Sequence, residues 1–76
     1  MKELLLTLAQ ALVDHPDQVS VNQIEGERSI ILELRVAQED MGKVIGKQGR
    51  IARAIRTLVK AAAAQQSKRV VVEIIQ

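Results

Sequence analysis

Two glycines separated by two polar residues form the segment of this chain best suited to chemistry. Gly46 and Gly49 enclose Lys47 and Gln48, and Arg50 follows directly. Glycine has no Cβ, so a loop built on two of them can turn sharply and lie close to a ligand backbone. If a helix begins near Gly49, its first N–H groups lack intrahelical partners and can donate to phosphate oxygens. The segment therefore predicts a site for the backbone of a nucleic acid.

Charge is divided unevenly along the 76 residues, although the formal net charge is only +2. Residues 1–42 contain three basic and eight acidic side chains, whereas residues 43–76 contain eight basic and one acidic side chain. This asymmetry favours a polyanionic partner for the second half, with a solvated basic helix face as the alternative. Aromatic residues are absent, which argues against the sheet-based RNA readers that stack bases on aromatic rings.

Composition excludes several kinds of site. There is no cysteine, and His15 is the one histidine, so we expect neither disulfides nor a metal ion. His15 falls near the end of a predicted helix, where it can interact with the last carbonyls. No apolar run approaches the ~20 residues of a membrane span, and no signal-peptide pattern is present. The sequence predicts a cytoplasmic protein of one domain, residues 1–76, without a membrane partner.

Enzyme motifs do not fit. The spacing of Gly42, Gly46 and Gly49 matches neither a P-loop nor a dinucleotide fingerprint, and a predicted helix, rather than a strand, precedes the glycines. The carboxylates of Glu39 and Asp40 fall at a predicted helix start, which is their ordinary structural position. We therefore expect no catalytic residue, no cofactor and no small-molecule substrate.

Hydrophobic periodicity predicts the elements that must position the glycine segment. They are a helix over 3–13, strands over 19–25 and 29–36, a short helix over 38–45, a helix that follows the glycines and runs to about 66, and a strand over 69–75. In the last helix the spacing places one set of apolar residues towards the core: Ile51, Ile55, Leu58, Val59 and Ala62. It places a basic set on the opposite face: Arg50, Arg53, Arg56 and Lys60.

The chain has a predicted helix that ends in Val44-Ile45, then Gly-x-x-Gly, then a second predicted helix. This arrangement resembles the core motif of KH domains. The family has an isoleucine three residues after the second glycine, where this chain has Ala52, with Ile51 one position earlier. The element order resembles the type II arrangement. The resemblance implies an α+β fold, α-β-β-α-α-β, in which a three-stranded sheet packs against three helices.

A KH domain holds about four single-stranded nucleotides, with its glycine loop clamping the backbone. Carried onto this sequence, the resemblance implies that Gly46, Lys47, Gln48 and Gly49 contact phosphates. Ile45, with apolar residues of the second strand, would form the groove floor under the bases. The rim would be lined by Lys43, Arg50 and Arg53.

The stand-alone size and the leucine-rich first helix resemble the bacterial KhpA (YlqC) family. That resemblance implies an RNA chaperone or post-transcriptional regulator that pairs with itself or with a second KH protein of the KhpB type. A strip of small residues on the last helix could carry a homodimer: Ala54, Thr57, Ala61 and Ala64. Two other functions stay open from the residues, a helix-turn-helix-like reader of duplex DNA and a KH-fold adaptor between proteins.

Overall fold

The part of the chain that the structure describes forms three α-helices and three β-strands in the predicted order, which confirms the fold class. The computed structural model describes residues 1–46 and 49–75. The elements are α1 (Lys2–Leu12), β1 (Ser20–Glu25), β2 (Ser29–Arg35), α2 (Gln38–Ile45), α3 (Arg50–Ala62) and β3 (Arg69–Ile75). Short 3₁₀ helices follow α1 at Pro16–Gln18 and α3 at Ala63–Gln65. The boundaries lie within a few residues of those that periodicity predicts.

The sheet has the order β1-β2-β3, with β2 in the centre. β1 runs antiparallel to β2, pairing Ser20 with Arg35, whereas β3 runs parallel to β2, pairing Ser29 with Arg69. A parallel neighbour requires the chain to return to the starting end of the sheet, and α2 and α3 make that crossover. The glycine segment lies in the middle of this connection.

One hydrophobic cluster joins the sheet to α1 and α3. Leu5 from α1, Leu32 and Leu34 from β2, and Ile55 and Val59 from α3 are almost completely inaccessible to water. Alternate residues of β2 are buried because successive side chains of a strand point to opposite faces. Its buried residues are Ile30, Leu32 and Leu34, and Val36, which follows at the same alternation, is partly buried against the cluster.

The buried face of α3 differs from the predicted one. Its buried residues are Ala52, Ile55 and Val59, whereas Leu58 is 49% exposed. Ala62 is also exposed. At 100° per residue, this shift moves the centre of the apolar face away from Leu58 and towards the basic residues. Arg53, Arg56 and Lys60 therefore flank the buried stripe instead of lying opposite it.

The tip of the β1–β2 hairpin is tied to the segment that leads into β3. The Nζ of Lys68 donates to Oε2 of Glu25 at 2.7 Å, and the N–H of Arg69 donates to the carbonyl of Arg28 at 3.0 Å. The hydrogen bond and positive charge of Lys68 lower the pKa of Glu25. These contacts fix the start of β3 against the hairpin.

We expect Leu5→Ala to lower the free energy of unfolding by about 2–5 kcal/mol, because it leaves a cavity in the cluster. Leu4→Ala is the matched control, since Leu4 is its neighbour on α1 and is 37% exposed. Urea unfolding of both variants, followed by circular dichroism, measures the difference. Equal losses of stability would contradict the placement of Leu5 in the core.

Candidate nucleic-acid interface

Gly46 ends α2 in a position that excludes a side chain. Its N–H donates to the carbonyl oxygen of Gly42 at 2.8 Å, and the backbone then turns to an extended conformation. A Cβ built on Gly46 would collide with that same carbonyl oxygen. The obstacle is backbone, which has no flexible end to move aside. Gly46 is therefore required by close packing within its own chain.

Gly49 is required for a different reason. It has φ 70° and ψ 30°, in the left-handed region, and it is the N-cap residue of α3. Residues with a Cβ are strained there. Its N–H donates to the carbonyl of Gly46 at 2.9 Å, so the two glycines lie side by side. The predicted contact residues Lys47 and Gln48 lie outside the described residues.

The beginning of α3 carries positive charge that no acidic residue of its own first turn offsets. A helix N-terminus has partial positive charge, which acidic side chains usually balance. α1 has Glu3 in its first turn and α2 has Glu39 and Asp40, whereas α3 has no acidic residue there and begins with Arg50. Its N-cap residue, Gly49, has no side chain that could make a capping hydrogen bond. This end of the helix is therefore electrostatically suited to an anion.

Ile45 separates two grooves beside the glycines, and its side chain is 46% exposed. The first groove, of about 350 Å³, lies between α2, α3 and the end of β3. Its lining residues are Ile45, Gly49, Ala52, Arg53, Arg56 and Ile74. On the other side of Ile45, a side groove is lined by Val36, Gln38, Met41 and Ile45. An exposed isoleucine between two grooves, with arginines on one margin, can support bases while cations hold phosphates.

The groove floor agrees only in part with the expectation that apolar residues of the second strand, predicted over 29–36, lie beside Ile45. Leu32 and Leu34 of β2 are fully buried, so they present no surface to a ligand. Ile74 of β3 takes part instead, and Val36, which follows β2, lines the side groove. β3 is an edge strand, whereas β2 is the central strand and pairs with a neighbouring strand along each edge. Sequence periodicity identifies both strands but does not tell which one lies at the edge.

The structure brings Ile45, Gly49 and Arg53 together at the first groove, with Gly46 adjoining them. Arg50 is exposed at the first position of α3 but does not line the groove. Arg56 does line it. Its spacing of three residues from Arg53 places both arginines on one side of the helix, and this spacing is the sequence signal that could have identified it. Neither Ala52 nor Ile74 was predicted to lie there.

Lys43 faces away from the grooves, towards the end of α1. Its Nζ lies 3.2 Å from Oδ1 of Asp14, and both side chains are largely exposed. Exposed pairs of this kind are worth at most about 1 kcal/mol. A phosphate at Lys43 would therefore compete with a weakly held carboxylate.

Asp40 fastens α2 to the segment that follows α1. Its carboxylate is 1% exposed and accepts from the N–H of Asp14 at 3.1 Å and from the N–H of His15 at 3.0 Å, one oxygen each. The His15 imidazole lies 3.9 Å from Glu39, which adds a contact at the same junction. The helix that ends in the glycine segment is thereby held in place by its opposite end.

No three metal-ligating side chains lie close enough together to hold an ion within residues 1–46 and 49–75. Across the same residues, no helix is both long and apolar enough to cross a membrane.

Three helices cover a mixed three-stranded sheet, and the backbone requires glycine at two positions where consecutive helices join. Together these features define a KH domain with the type II order of elements. The sequence matches the family described as "KhpA/KhpB, KH domain" over residues 2–74. The chain belongs to this family.

Similar proteins bear the name "RNA-binding protein KhpA". The one from Clostridium acetobutylicum is 71% identical over 75 residues, which are 99% of this chain and 100% of that protein. The one from Caldanaerobacter subterraneus is 72% identical with the same coverage. The one from Listeria monocytogenes is 50% identical over the full length of both chains. A comparison with solved structures gives no significant match.

We expect alanine substitutions at Gly42, within α2, and at Gly46, which ends it, to change the free energy of unfolding in opposite directions. A Cβ at Gly42 meets nothing within 4 Å, so we expect Gly42→Ala to raise the free energy of unfolding by about 0.5–1 kcal/mol through helix propensity. We expect Gly46→Ala to lower it by about 1–3 kcal/mol, because the backbone must shift. Chemical denaturation measures both. A Gly46→Ala variant as stable as wild type would contradict the described joint.

We expect Asp40→Ala to lower the free energy of unfolding by at least about 2 kcal/mol, because two N–H groups lose a charged acceptor. Glu39→Ala is the control: Glu39 is 69% exposed, and we expect a loss below about 1 kcal/mol. Amide hydrogen exchange at Asp14 and His15 should accelerate in the Asp40 variant alone. Unchanged exchange at these two amides would show that the carboxylate does not hold them.

Proposed function

We propose that this protein binds single-stranded RNA at the glycine segment between α2 and α3, as a post-transcriptional regulator or RNA chaperone in the cytoplasm, and that it catalyses no reaction. The observation that carries the proposal is the joint itself: Gly46 and Gly49 are both required by backbone geometry, beside an exposed isoleucine and an uncompensated helix N-terminus. The relatives' printed names as RNA-binding proteins support the same function.

The mechanism follows from how charge and apolar surface are arranged. Phosphate oxygens would accept from the first N–H groups of α3 and pair with Arg50 and Arg53. Bases would lie over Ile45 and Ile74, where aliphatic surface contacts them without stacking. Lys43 would join once a phosphate displaces Asp14. Phosphate contacts of this kind fix the strand in place and carry no sequence preference by themselves.

We also propose that the protein pairs with a second copy of itself, or with a KH protein of the KhpB type, through the small-residue strip on α3. Ala54, Thr57, Ala61 and Ala64 are all exposed. On a helical wheel Ala54, Thr57 and Ala61 lie opposite the buried stripe of α3, and Ala64 lies in the 3₁₀ helix that follows. Short side chains allow two helices to approach closely. A dimer would give two weak RNA sites a high effective concentration for each other.

We expect Lys47→Asp combined with Gln48→Asp to abolish RNA binding, because one positive charge is lost and two negative charges are introduced between the glycines. The fold should persist, since both substitutions replace one polar residue by another. Filter binding with single-stranded RNA and thermal melting are the measurements. Unchanged affinity would exclude the clamp.

The control for this variant is Lys2→Asp combined with Gln18→Asp, which makes the same change in net charge at exposed positions distant in sequence from the glycines. It should keep most of the affinity. Duplex DNA serves as a second ligand: tighter binding of duplex than of single strands would instead favour a helix-turn-helix-like reader. Wild-type protein that binds neither nucleic acid would favour a protein adaptor.

We expect Ala61→Asp to shift the protein to a folded monomer, because the strip would then place two carboxylates against each other. Ala11→Asp is the control, since Ala11 is also exposed and is also the penultimate residue of its helix. Sedimentation equilibrium gives the mass of each. Equal masses for Ala61→Asp and wild type would remove this strip from any interface.

A further inference from the structure

A second groove lies along α3, away from the glycines. It encloses about 580 Å³ between the second half of α3, the segment after it and the first half of β3. Among the described residues that line it, none belongs to the glycine motif or to the predicted site. The glycine joint therefore does not account for this groove.

One wall of the second groove is an open strand edge. β3 pairs with β2 along one side, and no other described strand pairs with it along the opposite side. Such an edge presents a row of backbone N–H and C=O groups to which a further strand can add. The pairing of β3 with β2 runs unbroken through seven residues, and β3 contains no proline. Neither a bulge nor a proline therefore obstructs this edge.

The side chains of β3 also suit a further strand. Three consecutive valines, residues 70–72, line the groove, and β-branched side chains favour strand pairing. β1, at the other edge of the sheet, has Asn22, Gln23 and Glu25 among its exposed residues instead. The two edges of the sheet thus differ in character, and the apolar one borders the groove.

The helix opposite the strand edge completes an apolar floor. Val59 of α3 and Ala63, directly after α3, line the groove together with the valines. Domains that bind peptides by adding a strand to a sheet combine an open strand edge with pockets for alternate side chains of the peptide. At ~3.3 Å per residue, the part of β3 along the groove corresponds to about four residues of an added strand.

The margin of the second groove is basic. It is lined by Arg56, Lys60, Lys68 and Arg69, and no acidic side chain in the described part of the chain lines it. Lys68 is paired with Glu25, but the other three keep the margin positively charged. Complementary charge attracts an acidic partner and repels a basic one.

We propose that the second groove binds an extended acidic segment of another protein, which adds a fourth strand to the sheet along β3. Its backbone pairs with that of β3, and its apolar side chains, at alternate positions, lie on the valines. Its carboxylates pair with Lys60 and Arg69. The interaction does not depend on RNA binding, and it leaves Gly46 and Gly49 uncovered because neither lines the groove.

Two other occupants fit the second groove less well. RNA is attracted by the same cations, but its backbone has no alternating N–H and C=O groups to pair with a strand edge. A second copy of the chain, related by a two-fold axis, presents the same surface, so the basic margin would face itself. An acidic segment satisfies both the strand edge and the charge.

The probe is a synthetic octapeptide in which valine and glutamate alternate, with both ends blocked. We expect it to bind wild type in fluorescence anisotropy and to slow amide hydrogen exchange in β3. Exchange in β1, at the other edge, should stay unchanged. A second peptide carries a methyl group on every backbone nitrogen, so it keeps the carboxylates but cannot donate to a strand. We expect it to bind about tenfold more weakly or not at all, as should a peptide with lysine in place of glutamate.

The groove variant is Lys60→Gln combined with Arg69→Gln, which removes two charges from exposed residues of the second groove. We expect it to bind the acidic peptide about tenfold more weakly than wild type. The control, Lys2→Gln combined with Arg28→Gln, removes two charges from exposed residues that do not line the groove, and it should bind like wild type. Random-sequence RNA of 4 nucleotides should bind all three proteins equally. If the groove variant unfolds, Lys60→Gln alone provides the comparison.

Absence of binding, unchanged exchange in β3 or full affinity of the groove variant for the acidic peptide overturns the inference. Equal affinity for the methylated peptide overturns it too, because charge alone would then hold the segment. A groove variant that loses the 4-nucleotide RNA would assign the groove to RNA, and one with an altered mass in sedimentation equilibrium would assign it to contact between copies. Wild type that binds the peptide but not RNA would refute the proposed function and support this inference.

Discussion

The buried carboxylate of Asp40 is the interaction on which the geometry of the interface depends. α2 carries Ile45 and Gly46 at one end and Asp40 at the other. Val44, in the last turn of α2, is buried but lies outside the main hydrophobic cluster. Burying a charge is costly unless it is well paired, and two N–H donors together with the start of α2 offset that cost. The helix is consequently oriented by polar contacts more than by the central core.

This arrangement divides the molecule into a hydrophobic core and the side that carries the candidate interface. α1, α3 and the sheet share one hydrophobic cluster, which fixes α3 and β3 relative to each other. The basic residues of α3 flank its buried stripe, so they project beside β3 instead of away from it. The uneven charge of the sequence thereby becomes a basic trough along one edge of the sheet.

The sequence predicts the order of the elements, the three strands and the glycine joint, because each of these depends on local signals. Alternation in β2, the proline after α1 and the Gly-x-x-Gly spacing are such signals. Groove composition could not be predicted in the same way. Ile74 joins the first groove because β3 returns beside β2, which brings together residues distant in sequence. The pairing of Lys43 with Asp14 has the same long-range origin.

The face that α3 buries shows where local reasoning ends. Ile51 and Leu58 are more apolar than Ala52, so hydropathy centres the face on them, yet the structure buries Ala52 and leaves Leu58 half exposed. By itself, the sequence determined the helices, the strands, the charge imbalance and the two glycines, because these depend on backbone conformation and near neighbours. Only the tertiary structure decided which strand edge is open and which cations line it, because both follow from how distant segments pack.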